Sequence, residues 1–229
     1  MIIIIIIAIC TSLIILGISI YYIIPCITKQ PVLKNLGVDF EAYNNETGRA
    51  GAFIFLKNED KVFLEFGAEV SGENGVKKLP TFEYIVAKDS NVYAIGEGIV
   101  TNIEYQDETQ DYEIIIKPCI FSIWLIIIDH VLNLTISIGD KVVAGMIIGK
   151  PGTYTSLCGR VEIQIYNMET NLNYAPFKLF DPTLRDEYEQ KVWQLMDDWE
   201  TFKNNISIYD QDSMIYAGCL YETMVESEY

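Results

Sequence analysis

FSIWLIIID (121–129), LTISI (134–138), KVVAGMIIG (141–149) and GRVEIQIY (159–166) follow one another within 46 residues. Each run is short, rich in β-branched and aromatic residues, and bounded by Gly, Asp, Asn or Pro. None shows the three- and four-residue apolar spacing of a helix. The pattern extends upstream through FEYIVA (82–87), NVYAI (91–95), GIVTNIEY (98–105) and DYEIIIKP (111–118). Regularly spaced short strands without intervening helices predict a mainly β domain, a sandwich or barrel. The segment Ile123–Ile128 is apolar at successive positions, as suits a strand covered on both faces. Further upstream, AGAFIFLKNEDKVFLEFGAEV (50–70) reads as a hairpin around Asn58-Glu59-Asp60, and SGENGVKKLP (71–80) as a break.

Beyond Asp181-Pro182 the period changes. Leu184, Tyr188, Val192, Leu195, Trp199 and Phe202 form an apolar stripe at spacings of three and four, opposite acidic residues. Asp181 is a candidate N-cap, Pro182 suits the first turn, and Asn204-Asn205 can end the helix. A stripe of this kind packs on the β body or, in a sharper reading, recruits a partner.

At the other end, no charged residue precedes Lys29. The run MIIIIIIAICTSLIILGISIYYIIP (1–25) is long enough to cross a hydrocarbon core of roughly 30 Å as a helix, with Tyr21 and Tyr22 near the interface. It lacks the basic start and short apolar stretch of a cleavable signal, so a retained single-pass anchor is expected. Cys26 follows Ile-Ile-Pro rather than the small residues of a lipidation site. The chain divides into an anchor (1–28), a polar linker (29–50), a β domain (51–181), an amphipathic helix (182–204) and an acidic tail (205–229) on which no structure is forced.

Composition narrows function. Across 229 residues, 32 acidic side chains face 16 basic ones, a formal net charge of −16, which argues against nucleic acid and against anionic headgroups as partners. A single histidine excludes zinc sites built on two or three imidazoles. Of five cysteines, Cys10 and Cys26 fall in the anchor. A Cys119–Cys158 bridge is open outside the cell, free buried thiols are the simpler state, and the absence of a CxxC pair excludes a cysteine zinc site. Sequons at Asn45, Asn133 and Asn205 matter only where a glycosylation machinery is met.

Three blocks in order resemble the lysostaphin/LytM-type zinc endopeptidase family over residues 79–182. They are VYAIGEGIV (92–100), Asp129-His130-Val131 with ISIGDKVVAGMIIGKPG (136–152), and GRVEIQI (159–165) followed by Ala175-Pro176 and Asp181-Pro182. The resemblance implies a barrel-sandwich hybrid fold, an extracytoplasmic setting and a wall-peptide or envelope-protein partner. It also implies where the site should lie. The family's first metal motif falls on Leu79 and Glu83, and its His-x-His strand on Arg160 and Glu162; His130 alone keeps a family functional histidine. Two-residue alternation puts Val161, Ile163 and Ile165 inward and Arg160, Glu162 and Gln164 on the cleft face.

Three readings follow for a floor of Glu83, His130, Arg160 and Glu162. Arg160 bridges the two carboxylates and the site is vestigial. Alternatively Glu83, His130 and Glu162 hold a divalent ion such as zinc, against the repulsion of the guanidinium. In the third, the floor, with Gln164, binds a ligand's amide or amine without chemistry. The lost ligand histidines favour a non-catalytic, membrane-anchored binding or scaffolding module with no cofactor. The alternatives are a hydrolase with a Glu/Glu/His metal site and a lipoyl- or biotinyl-type carrier presenting Lys141 or Lys150. By the positive-inside rule Lys29 and Lys34 point the body towards the cytoplasm; the family points outward and carries more weight.

Overall fold

The computed structural model describes Gly17, residues 19–72 and residues 75–225. It is mainly β, with a curled antiparallel sheet of thirteen strands among the described residues. Nine of the strands concern us: β1 (Phe63–Leu64), β2 (Phe82–Ala87), β3 (Gly98–Gln106), β4 (Asp111–Lys117), β5 (Trp124–Leu132), β6 (Ile147–Thr153), β7 (Cys158–Asn167), β8 (Leu172–Tyr174) and β9 (Thr223–Val225). The principal helix is α1 (Arg185–Lys203).

The wall that carries the site is the antiparallel ladder β2–β7–β5–β4–β3. Its register is set by burial. Along β7, Val161, Ile163 and Ile165 are almost wholly buried while Arg160, Glu162 and Gln164 are partly exposed, so a one-residue slip would bury the polar set. In β5, Trp124, Leu125, Ile126, Ile128 and Val131 are buried and Ile123 packs against the core. Gly139, at φ +96°, makes a tight turn with Asp140, a conformation that glycine adopts without steric cost.

Helix α1 lies on the body. Val192, Leu195, Met196 and Trp199 are buried, the Trp199 ring stands 4.9 Å edge-on from Phe55, and Trp199 Nε1 donates to the Asp60 carbonyl at 3.1 Å. The helix starts three residues later than Pro182. Asp181 organises the preceding turn, its Oδ1 accepting from the Thr183 amide and hydroxyl, and Asn204 ends the helix in the left-handed conformation at φ +53°.

Several segments differ from their sequence reading. The stretch 29–50, read as a linker, puts Leu33, Leu36, Val38 and Phe40 into the core, because this apolar set of small spacing meets a surface that the β body leaves open. The two runs flanking Asn58-Glu59-Asp60 do not pair with each other. Phe53–Ile54 and β1 both pair with β2, and the loop between them is held by α1 through Lys203 Nζ, which donates to the Lys57 and Glu59 carbonyls. The tail also folds in. Tyr209, Ala217 and Cys219 are buried, and β9 adds to β8. Cys119 does not pair with Cys158, which is buried and free. It bonds to Cys26, with the Cα atoms 5.4 Å apart.

The expected N-terminal transmembrane helix falls largely on residues 1–16 and 18, outside the described residues. What is described there is a π-helical turn at Ser19–Ile23 running into a five-residue helix, Ile24–Thr28. Among the described residues no helix is long and apolar enough to cross a membrane.

Candidate functional site

At one end of the ladder three strands place acidic residues in a row. Glu83 of β2 lies directly opposite Glu162 of β7, which lies directly opposite Asp129 of β5. Such cross-strand neighbours stand about 4.5–5.5 Å apart at Cβ, and like charges there repel. An arginine and a histidine answer them. Arg160 Nη1 is 3.5 Å from Glu83 Oε1, and Arg160 Nη2 lies directly against His130 Nε2. His130 Nε2 in turn stands 3.7 Å from both Glu162 Oε2 and Asp129 Oδ2, and Nδ1 is 3.0 Å from Asp111 Oδ2. These groups open on a cleft of about 660 Å³ also lined by Gln106, Tyr154 and Gln164.

His130 reaches the cleft through a backbone irregularity. Strict alternation would send Asp129 and His130 to opposite faces. The β5–β4 register slips between Ile128 and Val131, and His130 sits at φ +59°, a left-handed conformation uncommon for a residue with a Cβ. The bulge turns both side chains to one side. The Asp129 carboxylate caps it by accepting from the His130 amide at 2.7 Å, and Gln106 Nε2 donates to its other oxygen at 3.2 Å. Asp111, at the head of β4, is buried behind the imidazole and also accepts from the Thr109 hydroxyl at 2.6 Å. Gly152 completes the packing, since a Cβ there would collide with the Asp111 carboxylate and crowd His130 Cβ.

The electrostatics follow from burial and pairing. Burial and the Arg160 charge push the His130 pKa down, but Glu162, Asp129 and Asp111 outweigh them and leave it above the ordinary imidazole value. Burial pushes Glu162 up; the His130 and Thr81 side chains and the Arg160 charge more than reverse this, holding its carboxyl below the usual range. Glu83 goes the other way. Its burial and the repulsion of Glu162 exceed what Arg160 and His130 return, so its carboxyl titrates above the usual range. Burial likewise raises Asp129 against the pull of His130.

Glu83, His130, Arg160, Glu162 and Gln164 therefore share one cleft, with Gln164 Nε2 donating to Asn173 Oδ1 at 2.8 Å. The pairing differs from the one expected. Arg160 contacts Glu83 and His130, and it is His130 that serves Glu162. Sequence reasoning missed Asp111, Asp129, Gln106 and Tyr154. Asp129 stood in the quoted Asp129-His130-Val131 block, where only His130 was given a role. Asp111 and Gln106 flank a hairpin turn and carry no motif.

The donors do not fit the zinc that the family holds. Leu79 lines the cleft and has no donor atom, and the Arg160 guanidinium stands against the one imidazole nitrogen that faces the cleft. Asp111, Asp129 and His130 do offer ligand atoms within 4.8 Å of one another. Asp111, however, takes the Nδ1 side of the ring and Asp129 the Nε2 side, so a single ion meeting all three displaces the Asp111–His130 bond. Of the carrier candidates, Lys150 is occupied: its Nζ donates to the Asp89 carbonyl and Asn91 Oδ1, each at 2.8 Å. Lys141 is exposed just beyond the Gly139-Asp140 turn.

No protein-family model and no curated protein sequence matches the chain. Among solved structures it is similar to lysostaphin from Staphylococcus simulans, at 19% identity over 38% of this chain and 36% of that one, TM-score 0.33. It is similar to the catalytic domain of a prophage-encoded M23 protein, EnpA, from Enterococcus faecalis, at 18% identity, 51% and 86% coverage and TM-score 0.36. It is also similar to Csd3 of Helicobacter pylori, at 12% identity, 76% and 43% coverage and TM-score 0.44. The chain spans 49% and 36% of the lengths of two lysostaphin chains to which it is similar, and 77% of a lysostaphin catalytic domain. Many of the solved structures to which this chain is similar are lysostaphin, LytM or M23-type peptidase domains.

Proposed function

We propose that the protein is a membrane-anchored, extracytoplasmic and non-catalytic binding module of the cell envelope. It carries a degenerate lysostaphin/LytM-type domain, and its cleft takes an amine- or amide-bearing segment of a peptide or protein partner. The observation that carries this reading is the position of Arg160, paired with Glu83 and lying against His130 Nε2. A fixed guanidinium there repels a divalent ion and blocks the imidazole edge that faces the cleft. Carboxylates outnumber cations around it, which favours a ligand that brings positive charge or hydrogen-bond donors. The Cys26–Cys119 disulfide supports an oxidising compartment, hence the outer side of a membrane. The charge-free run before Lys29 supports anchoring.

The test uses the full chain purified in detergent. Metal content is measured by mass spectrometry, and affinity is measured for a short peptide with a free amino terminus and for its N-acetylated twin. The expected outcome is no stoichiometric zinc, an unfolding midpoint indifferent to chelator, and binding weakened tenfold or more by acetylation or by Glu162→Gln. The grouping of Asp111, Asp129 and His130 favours the second reading, a metallohydrolase. Zinc retained through chelation, lost in Glu162→Ala or Asp129→Ala, and required for peptide cleavage would establish that reading and end the first.

A further inference from the structure

Cys26 lies inside the charge-free run that ends at Thr28, yet it is covalently bound to Cys119 in the loop joining β4 to β5. Two hydrogen bonds repeat the attachment. The Ile123 amide donates to the Ile27 carbonyl at 2.9 Å, and the Ser122 hydroxyl donates to the Lys29 carbonyl at 2.9 Å. The Ser122 hydroxyl also accepts from the Trp124 amide, so the loop, the end of the apolar run and the start of β5 form one fixed unit. A span of about 20 residues fills the hydrocarbon thickness, which brings Cys26, near the end of a 28-residue uncharged run, to the headgroup level. Whatever is stapled to Cys26 sits at that level too.

The stapled loop is dressed for it. Ile120 and Phe121 are 54% and 59% exposed although a polar loop would serve a soluble surface better, and Tyr21, Tyr22, Ile23 and Ile24 across the disulfide are exposed as well. We infer that the Cys119–Ile123 loop is a second membrane contact: Ile120 and Phe121 seat in the bilayer interface beside the anchor and hold the β domain at a fixed height and tilt. The occupant of this face is lipid rather than a protein, because the exposed loop residues are tied covalently and by two hydrogen bonds to the end of the charge-free run read as the anchor. Insertion is driven by apolar burial, which suits a chain whose net charge of −16 cannot use anionic headgroups.

The seating also positions the cleft. Trp124 pairs with Asn167 at the loop end of the ladder, and Asp129 pairs with Glu162 five residues further along. At about 3.4 Å per residue the acidic row lies about 17 Å along the strand from the loop end of the ladder. The inference rests on the anchored reading above.

Its test places the full chain in phosphatidylcholine nanodiscs with Phe121→Trp, and independently Ile120→Trp. Tyr105→Trp serves as control, 49% exposed at the opposite end of the ladder. Lipids brominated near the glycerol are expected to quench the added emission at 120 or 121 at least twofold, measured against the wild-type protein, and to leave position 105 unchanged. Unquenched emission at both loop positions, in a chain that remains in the disc, overturns the inference while leaving the anchor intact. A chain that does not enter the disc overturns the anchored reading and this inference together.

Discussion

Arg160→Met should destabilise the protein at neutral pH and lose most of that effect on acidification. In the wild type Arg160 Nη1 stands 3.5 Å from Glu83 Oε1, with the side chains 27% and 11% exposed. At an effective dielectric of about 20 the gross attraction at that distance is about 5 kcal/mol. Breaking a fully buried pair from one side costs roughly 3–5 kcal/mol. Here the arginine is more than a quarter exposed, so solvent screening reduces the expected cost to about 2–3 kcal/mol. The methionine keeps most of the apolar stem, so the loss is electrostatic rather than one of packing. The sign of the pH dependence follows from Glu83. Its folded-state pKa already lies above the ordinary value through burial and the repulsion of Glu162, and removing Arg160 raises it further. A carboxyl whose folded pKa exceeds its unfolded pKa subtracts stability once ionised, and the deficit shrinks as pH falls through the raised value. Urea unfolding at pH 7.5 and pH 5 measures both arms, and Glu83→Gln in the Arg160→Met background should restore most of the loss at pH 7.5. Equal stability of Arg160→Met and wild type at pH 7.5, or a deficit that neither acid nor Glu83→Gln relieves, would refute the claim that this guanidinium neutralises the cleft.

Four further expectations are separable from this one. His130 is the sole histidine, so its imidazole proton resonances report one group; it should remain protonated above the ordinary imidazole range, and Glu162→Gln should lower its titration point. The stability this pairing contributes is complete below the unfolded value and disappears as pH rises through the raised folded one, which a stability profile from pH 6 to 9 would detect. Reducing the Cys26–Cys119 bond opens a loop with a sequence separation of 93, and the loop-entropy relation then gives a loss of about 4–5 kcal/mol, seen as a lower urea midpoint at unchanged slope. Trp199→Ala removes a fully buried indole and its bond to the Asp60 carbonyl and should cost about 3–5 kcal/mol by the same assay. Gly152→Ala should displace Asp111 from His130, so its histidine resonance should titrate lower than in the wild type.

Much of the polar floor was legible in the chain because strand alternation is local. GRVEIQI places Arg160, Glu162 and Gln164 on one face, as their partial exposure beside buried Val161, Ile163 and Ile165 records. The α1 stripe was legible for the same reason, a period that neighbouring residues share. What escaped was set by contacts remote in sequence or by breaks in periodicity. The bulge at Asp129-His130 turns both side chains to one side, which no local period encodes, and Asp111 reaches His130 only because β4 and β5 pair across a hairpin.

By itself, the sequence determined that this is a β protein with an uncharged apolar run before Lys29 and a single imidazole, while the resemblance alone implied that Leu79, Arg160 and Glu162 stand at histidine positions. The former facts depend on composition and on spacing within a few residues. Only the tertiary structure decided which charges neutralise which, that Cys26 rather than Cys158 is the partner of Cys119, and that Leu33, Leu36, Val38 and Phe40 of the 29–50 segment and Tyr209, Ala217 and Cys219 of the tail join the core. Each of these depends on which surfaces the folded sheet leaves uncovered, a three-dimensional property that no local pattern encodes.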